Sequence, residues 1–306
     1  MKEKQPLIII AGPTAVGKTA LSVEFCRENK GEVISADSMQ VYRMLDIGSA
    51  KIRPEEMRGV KHHLIDVLDP KETFNVAVFQ QMAKKALREI EERSALPVVC
   101  GGTGFYIQSI LYDIDFTENP ADTGIRNALT EIFREEGAEG IRKLLIEKDP
   151  ESAAAIDKNN VKRMIRAIEY YEMTGEKISV HNARERAKES PFNYRYYVLT
   201  LDRETLYRRI DERVDRMIEK GLVEEVRRLM DYGCTPGMTS MQGLGYKQLC
   251  PYLRGEISLD EAVMNIKQET RHFAKRQLTW FRREKNVRWI DVEKENAIDV
   301  LRTWNL

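Results

Sequence analysis

No charge of either sign prevails in this chain. Its 49 Lys and Arg residues balance 49 Asp and Glu, for a net charge of +0. A polyanion therefore feels no net attraction from the molecule as a whole, and a nucleic-acid partner has to be met by local patches of cations. Cysteine is scarce as well. Cys26, Cys100, Cys234 and Cys250 stand far apart and form no C-x-x-C pair. That spacing offers no zinc site and fits reduced thiols in a cytoplasmic protein. Long apolar runs are missing. No stretch approaches the length of a membrane span, and Met1-Lys2-Glu3-Lys4 leads straight into the first apolar segment, so neither anchor nor signal peptide is expected. Internal repeats and low-complexity segments are also absent. What is present is an ordinary globular composition, 42% hydrophobic and 32% charged, over 306 residues, enough for one large core or two domains.

The most informative stretch is residues 7–19, LIIIAGPTAVGKT. Leu7 to Ala11 reads as a buried parallel strand. Gly12, Pro13, Thr14, Ala15, Val16, Gly17, Lys18 and Thr19 fit G-x-x-x-x-G-K-T, and the next residues continue as a helix. Strand, glycine loop and helix together make a phosphate-binding loop. Its backbone N–H groups and the helix N-terminus favour anions, Lys18 supplies a point charge, and the Thr19 hydroxyl can ligate Mg²⁺. The pattern predicts a bound di- or triphosphate without saying which.

The rest of the chain predicts an α/β fold in two domains. Strands are expected at 32–36, 63–67 and 97–100, with a helix at 79–92 and another from Phe105. This alternation argues a parallel sheet with helices on both faces, as in P-loop NTPases. Ligands sit beyond the carboxyl ends of such strands. The phosphate loop, Asp37-Ser38-Met39-Gln40 and Gly101-Gly102-Thr103-Gly104 should therefore converge on one cleft. From 113 to 192 the pattern is helical, with helices at 125–133, 141–147, 153–156 and 161–174 separated by Gly, Asn-Pro and Asp-Pro. The segment 194–201 is strand-like and returns to the sheet. The core is thus 1–112 with 193–306, and 113–192 is a helical insertion. Helices at 206–217, 222–232 and 259–283 and an edge strand at 287–291 complete the pattern.

Several side chains can carry chemistry. Asp37 follows a strand next to the phosphate loop, where it can be a general base, a Mg²⁺ ligand or a cap for the following turn. Thr103 can likewise cap a helix or touch a ligand. The stretch 158–166 holds four cations and no acid, and Lys162 and Arg166 share a helix face. A second cluster spans 271–283, with Arg271, Lys275 and Arg282 on one stripe, while Phe273, Trp280 and Phe281 can pack inward. Each patch is either a solvated face or a grip on a polyanion. His62 and His63 have no partner in metal-ligand spacing and read as structural.

The combination of GPTAVGKT, SADSMQVY, DIGSAK (46–51), HHLIDV, GGTGFY, MQGLGYK (241–247) and AKRQLTWFR (274–282) resembles the bacterial tRNA dimethylallyltransferases, also called tRNA isopentenyltransferases. The resemblance runs from about residue 7 to 290 and departs at Ser49, where threonine is expected. It implies transfer of a dimethylallyl group from dimethylallyl diphosphate to N6 of the adenosine 3′ to a tRNA anticodon. It further implies Asp37 as the base, Thr103 holding the adenine beside Ser38, Met39 and Gln40, and Arg213 clamping the diphosphate with Lys18 and Mg²⁺. Arg126, Asn160, Val161, Lys162, Arg163 and Arg166, with Arg271, Lys275 and Arg276, would hold the anticodon stem-loop. A monomer is expected. Two alternatives share the P-loop: a small-molecule or nucleotide kinase, and a non-catalytic RNA-binding NTPase switch.

Overall fold

The computed structural model of the chain describes residues 4–116 and 124–304. The leader Met1 to Glu3 and the Asn119-Pro120 punctuation lie outside them. Strand β1 (Gln5–Ala11) is followed by α1 (Lys18–Asn29), β2 (Gly31–Ala36), the single-turn α2 (Pro54–Met57), β3 (His62–His63), α3 (Val76–Glu92), β4 (Leu96–Gly101) and α4 (Gly104–Leu111). A helical stretch contains α5 (Gly124–Lys148), α6 (Pro150–Ala155), α7 (Val161–Thr174) and α8 (Ile178–Ala187). Strand β5 (Phe192–Thr200) then leads to α9 (Arg203–Glu219), α10 (Leu222–Asp231), a 3-10 turn (Thr239–Gln242), α11 (Tyr246–Leu253), α12 (Leu259–Phe281), β6 (Val287–Asp291) and α13 (Ala297–Arg302).

The chain divides into two compact units. One joins Met1–Leu111 to Pro191–Leu306; the other is Tyr112–Ser190. The first is built on a six-stranded parallel sheet of order β3-β2-β4-β1-β5-β6. Leu7 to Ala11 are at most 1% exposed, because helices cover both faces of β1 and every side chain of this stretch has to be apolar. Register brings the site together. Ala11 pairs with Gly101, and Gly101 with Ala36, so β1, β4 and β2 end at one level.

The expected third strand, 63–67, is only His62–His63. Leu64 and Asp66 take left-handed backbone conformations (φ 63° and 55°), which no strand continues through. The N–H groups of Asp66 and Val67 turn instead to the carbonyls of Gln40 and Val41. Helices α8, α11 and α13 were not expected from the sequence and emerge only here; α11 carries an apolar stripe of Tyr246, Leu249, Cys250 and Leu253, but Pro251 interrupts it.

The second unit is all helical among its described residues. The helices expected at 125–133 and 141–147 are two arms of α5, broken at Gly137 (φ 69°, ψ −162°). Their core is Leu129, Ile141, Leu145, Met164, Ala167 and Ile168. Buried Asp149 joins α6 to α8. It accepts from the Ser152 N–H (3.1 Å) and hydroxyl (2.7 Å) and from the Ser179 N–H (2.9 Å) and hydroxyl (2.7 Å). Burial pushes its carboxyl up, but the serine donors outweigh burial and hold it below the ordinary range.

Candidate active site

The phosphate loop leaves β1 and enters α1 at Gly17, whose left-handed backbone (φ 103°) leaves the first N–H groups of the helix without a side-chain cap. Such a terminus is free to take an anion. Lys18 folds back so that Nζ donates to the Pro13 carbonyl (2.7 Å). Burial above all, opposed by Cys100 and Asp37 and helped by Arg213, lowers its pKa to about 8. The Val16 side chain belongs to the core, so only its backbone can face a ligand.

Asp37, just past β2, uses one carboxylate oxygen as a cap. Its Oδ1 accepts from the N–H groups of Met39 (2.8 Å) and Gln40 (3.2 Å). Gln40 is a brace. It accepts from the Ser35 hydroxyl (3.2 Å) and donates to the carbonyls of Ser49 and Ala50 (both 3.4 Å). That loop is fixed from below by Glu225 of α10, only 2% exposed. Its carboxylate accepts from the N–H groups of Asp46 (3.0 Å), Ile47 (2.8 Å) and Gly48 (3.0 Å) and from the Tyr246 hydroxyl (2.7 Å).

Two chambers open at the strand ends. The smaller, about 110 Å³, is lined by Thr14, Lys18, Thr19, Asp37, Arg213 and Gln277, with Cys100 and His62 on its inner wall. The larger, about 320 Å³, is lined by Ser38, Met39 and Thr103 and by the apolar side chains of Ile210, Val214, Met217, Leu244 and Phe273. Asp37 and Arg213 line both. Burial lowers the pKa of Arg213, and the Asp37 charge opposes that. Among the described residues no cluster of three or more His, Cys, Asp and Glu could hold a metal. Mg²⁺ does not require one, since it keeps waters and takes substrate phosphate oxygens beside one or two protein ligands. The Thr19 side chain in the smaller chamber fits that need.

The three polar strand ends meet as their spacing predicts. The expected RNA contacts divide. Lys162 and Arg163 are exposed on α7, while the Asn160 side chain caps that helix (3.3 Å to the Arg163 N–H) and Val161 packs against the helical core. Arg126 (2.7 Å) and Arg166 (3.3 Å) both bind the buried Glu169 carboxylate. Lys275 and Arg276 are exposed on α12, but Arg271 gives both Asp211 oxygens a hydrogen bond (2.7 and 2.8 Å). His63 pairs with Glu32 (2.7 Å), in keeping with a structural role. His62 differs: its Nδ1 meets the Val60 carbonyl (2.9 Å), and its buried Nε2 has no partner among the described residues. Sequence reasoning missed Gln277, Glu225 and Phe273 as site residues, and with them the apolar wall of Ile210, Val214, Met217 and Leu244.

The family model described as IPP transferase matches residues 40–284. The chain belongs to this family. A tRNA dimethylallyltransferase from Lachnoclostridium phytofermentans is 55% identical over 293 residues, covering 96% of this chain and 94% of that one. One from Carboxydothermus hydrogenoformans is 50% identical over 298 residues, covering 97% and 94%. Among solved structures of the family, the full-length tRNA isopentenylpyrophosphate transferase of Bacillus halodurans superposes with a TM-score of 0.73 at 42% identity, covering 98% of this chain and 94% of the other. A eukaryotic dimethylallyltransferase described as acting on tRNA reaches 0.82 at 28% identity, covering 97% and 77%. Family membership sets aside the kinase and the NTPase switch. The phosphate loop and Asp37 precede the matched segment and rest on their own geometry.

Proposed function

We propose that this chain is a prenyltransferase that modifies tRNA, moving a dimethylallyl group from dimethylallyl diphosphate to N6 of the adenosine 3′ to the anticodon. The observation that carries the reading is the position of Asp37 and Arg213 on the walls of both chambers. A carboxylate and a guanidinium stand where a cation-lined chamber meets a largely apolar one. In this reading the diphosphate takes the smaller chamber, held by Lys18, Arg213, Thr14 and the N–H groups of the loop. The prenyl chain and the flipped adenine take the larger, against Phe273, Val214 and Met217, with Thr103 beside the base.

An exocyclic adenine amine is a weak nucleophile, because its lone pair is delocalised into the ring. As N6 attacks C1 of the allylic group, the C1–O bond breaks and its electron pair leaves with the diphosphate. Lys18 and Arg213 stabilise that growing charge. Oδ1 of Asp37 is held by two N–H groups, and Oδ2 is left to take the N6 proton. Mg²⁺, held by Thr19 and the diphosphate, would add Lewis-acid stabilisation of the leaving group. Every group used in the chemical step belongs to one unit of one chain, which supports a monomer, and the four cysteines are free thiols, in keeping with the cytoplasm. Extruding the base costs a few kcal/mol. Contacts between RNA phosphates and exposed cations, Lys275 and Arg276 on α12 and Lys162 and Arg163 on α7, would each help to offset it.

Mass spectrometry of tRNA nucleosides after incubation with dimethylallyl diphosphate and Mg²⁺ tests the reading. The expected product is a prenylated adenosine confined to the position 3′ of the anticodon. Unmodified tRNA, or transfer of a γ-phosphate from ATP to a nucleoside instead, would overturn it.

A further inference from the structure

One side-chain amide of helix α12 bonds two loops of the cleft. Gln277 is buried, and its Oε1 accepts from the Thr14 N–H of the phosphate loop (2.9 Å). Its Nε2 donates to the Gly102 carbonyl, at the end of β4 and one residue before Thr103 (2.9 Å). The two partners fix the orientation of the amide, since a backbone N–H can only donate and a carbonyl only accept. The fit is close. A Cβ at Gly102 would lie 2.1 Å from Nε2 of Gln277, and one at Gly104 would lie 2.1 Å from the Trp280 ring. Two glycines thus admit two side chains of α12 that stand three residues apart. On the same helix Lys275 and Arg276 are exposed, and Arg276 also lines the larger chamber. The Thr14 N–H is taken by Gln277, so it is not among the donors free to meet a phosphate.

We infer that Gln277 is a positioning residue that holds the phosphate loop and the Gly102-Thr103 turn at a fixed separation and ties both to α12. The inference rests on the prenyl-transfer reading for its catalytic arm only. Neither chamber keeps its shape if the two loops drift apart, because the diphosphate is held on one and the adenine on the other. Truncating the amide leaves a buried donor and a buried acceptor unpaired, a loss that corresponds to roughly tenfold to a hundredfold in the chemical step.

A glutamic acid distinguishes positioning from mere packing. When protonated it presents one O–H donor and one carbonyl acceptor and can restore both bonds; when ionised it faces the Gly102 carbonyl with an oxygen that cannot donate. Gln277→Glu and Gln277→Met are compared with wild type between about pH 5 and 8. The titratable and charged groups facing this position are Lys18, Arg213 and Asp37, with Cys100 and His62 on the same wall and Arg276 adjacent on α12. The cations oppose protonation, while burial and Asp37 favour it. Two quantities are read: the affinity for inorganic diphosphate with Mg²⁺ by calorimetry, and the single-turnover rate with tRNA and dimethylallyl diphosphate.

For Gln277→Met a loss of roughly ten- to a hundredfold at every pH is expected. For Gln277→Glu the same loss is expected at pH 8, with the ratio to wild type recovering at least fivefold toward pH 5, on the order of one restored bond. A Met variant equal to wild type, or a Glu variant whose ratio to wild type is flat with pH, would overturn the assignment. So would losses in both variants that merely follow the loss of folded protein by circular dichroism. If wild type binds diphosphate but transfers no prenyl group, the function proposed above fails, and the calorimetric arm still decides the role of Gln277.

Discussion

Asp37 performs two duties with one carboxyl group. Its Oδ1 caps the turn that follows β2, and Oδ2 is the atom proposed to take the proton. Asn caps a turn about as well as Asp, so Asp37→Asn should keep both N–H bonds and leave the melting temperature unchanged. An amide oxygen cannot accept the N6 proton, so the single-turnover rate should fall roughly 10²–10⁴-fold and should not return at high Mg²⁺. A variant within about threefold of wild type, less than about 1 kcal/mol in barrier, would confine Asp37 to its capping role. Lys18 yields a second residue-scale expectation. Its pKa of about 8 means that the empty site loses its ammonium as pH rises through 8. An anion prefers the charged form, so above pH 8 binding has to include uptake of a proton and weakens, by at most about tenfold per pH unit. Below pH 8 that cost vanishes. The diphosphate itself titrates, so calorimetry from about pH 7 to 9.5 should be compared with Lys18→Arg, whose charge does not change. The expected result is that wild type loses affinity relative to the Arg variant above pH 8; parallel curves would refute it.

At the scale of the element, legibility followed the apolar period. β1, β2 and β4 were readable because each is a short run of side chains buried on both faces, and their polar ends marked the cleft; β5, buried only from Tyr196 to Leu199, was readable from its aromatic and β-branched residues. The third strand was overextended because Leu64 and Ile65 look strand-like, whereas the left-handed Leu64 ends the strand through contacts with residues 40–41 that no local pattern reveals. Gln277 and Glu225 were missed for a shared reason. Each interrupts a buried helical stripe, Ala274-Gln277-Phe281 in α12 and Leu222-Glu225-Leu229 in α10. A polar residue in such a stripe must have a buried partner. The stripe was the available signal, but the partner came from distant sequence. Glu225→Ala tests this directly. It would strand three N–H groups and the Tyr246 hydroxyl around the loop 46–48. Urea unfolding of the sheet unit should show a loss of about 2–4 kcal/mol. Prenyl transfer should fall as well, since Gly48 and Ser49 line the larger chamber. A loss below about 0.5 kcal/mol would show that water replaces the carboxylate without cost.

For the whole molecule, neutrality means that RNA affinity depends on which cations are free to meet phosphate, rather than on how many the chain contains. In the sequence, 158–166 and 271–283 look like uniform patches. In the structure, Arg271 is committed to Asp211, whereas Lys275 and Arg276 are exposed on the same helix. Association with tRNA releases about one counterion for each phosphate neutralised, so the slope of log affinity against log salt counts the contacts made. Lys275→Ala and Arg163→Ala should each lower that slope by about 0.7–0.9 and weaken binding to all tRNAs alike. Removing Arg271 alone would be ambiguous, because it uncovers the negative charge of Asp211. The informative variant removes both partners, Arg271→Ala with Asp211→Ala, and keeps the net charge at +0. If the pair stays closed on the RNA, the double variant should retain the full slope, with affinity within about twofold of wild type at 150 mM salt. A slope lower by a full contact would mean that the pair opens and Arg271 reaches a phosphate. In that case the grip on α12 would extend one turn nearer its N-terminus than the exposed Lys275 and Arg276 alone provide. Filter binding at about four salt concentrations between 50 and 200 mM, the range over which such contacts change affinity most, decides between the two.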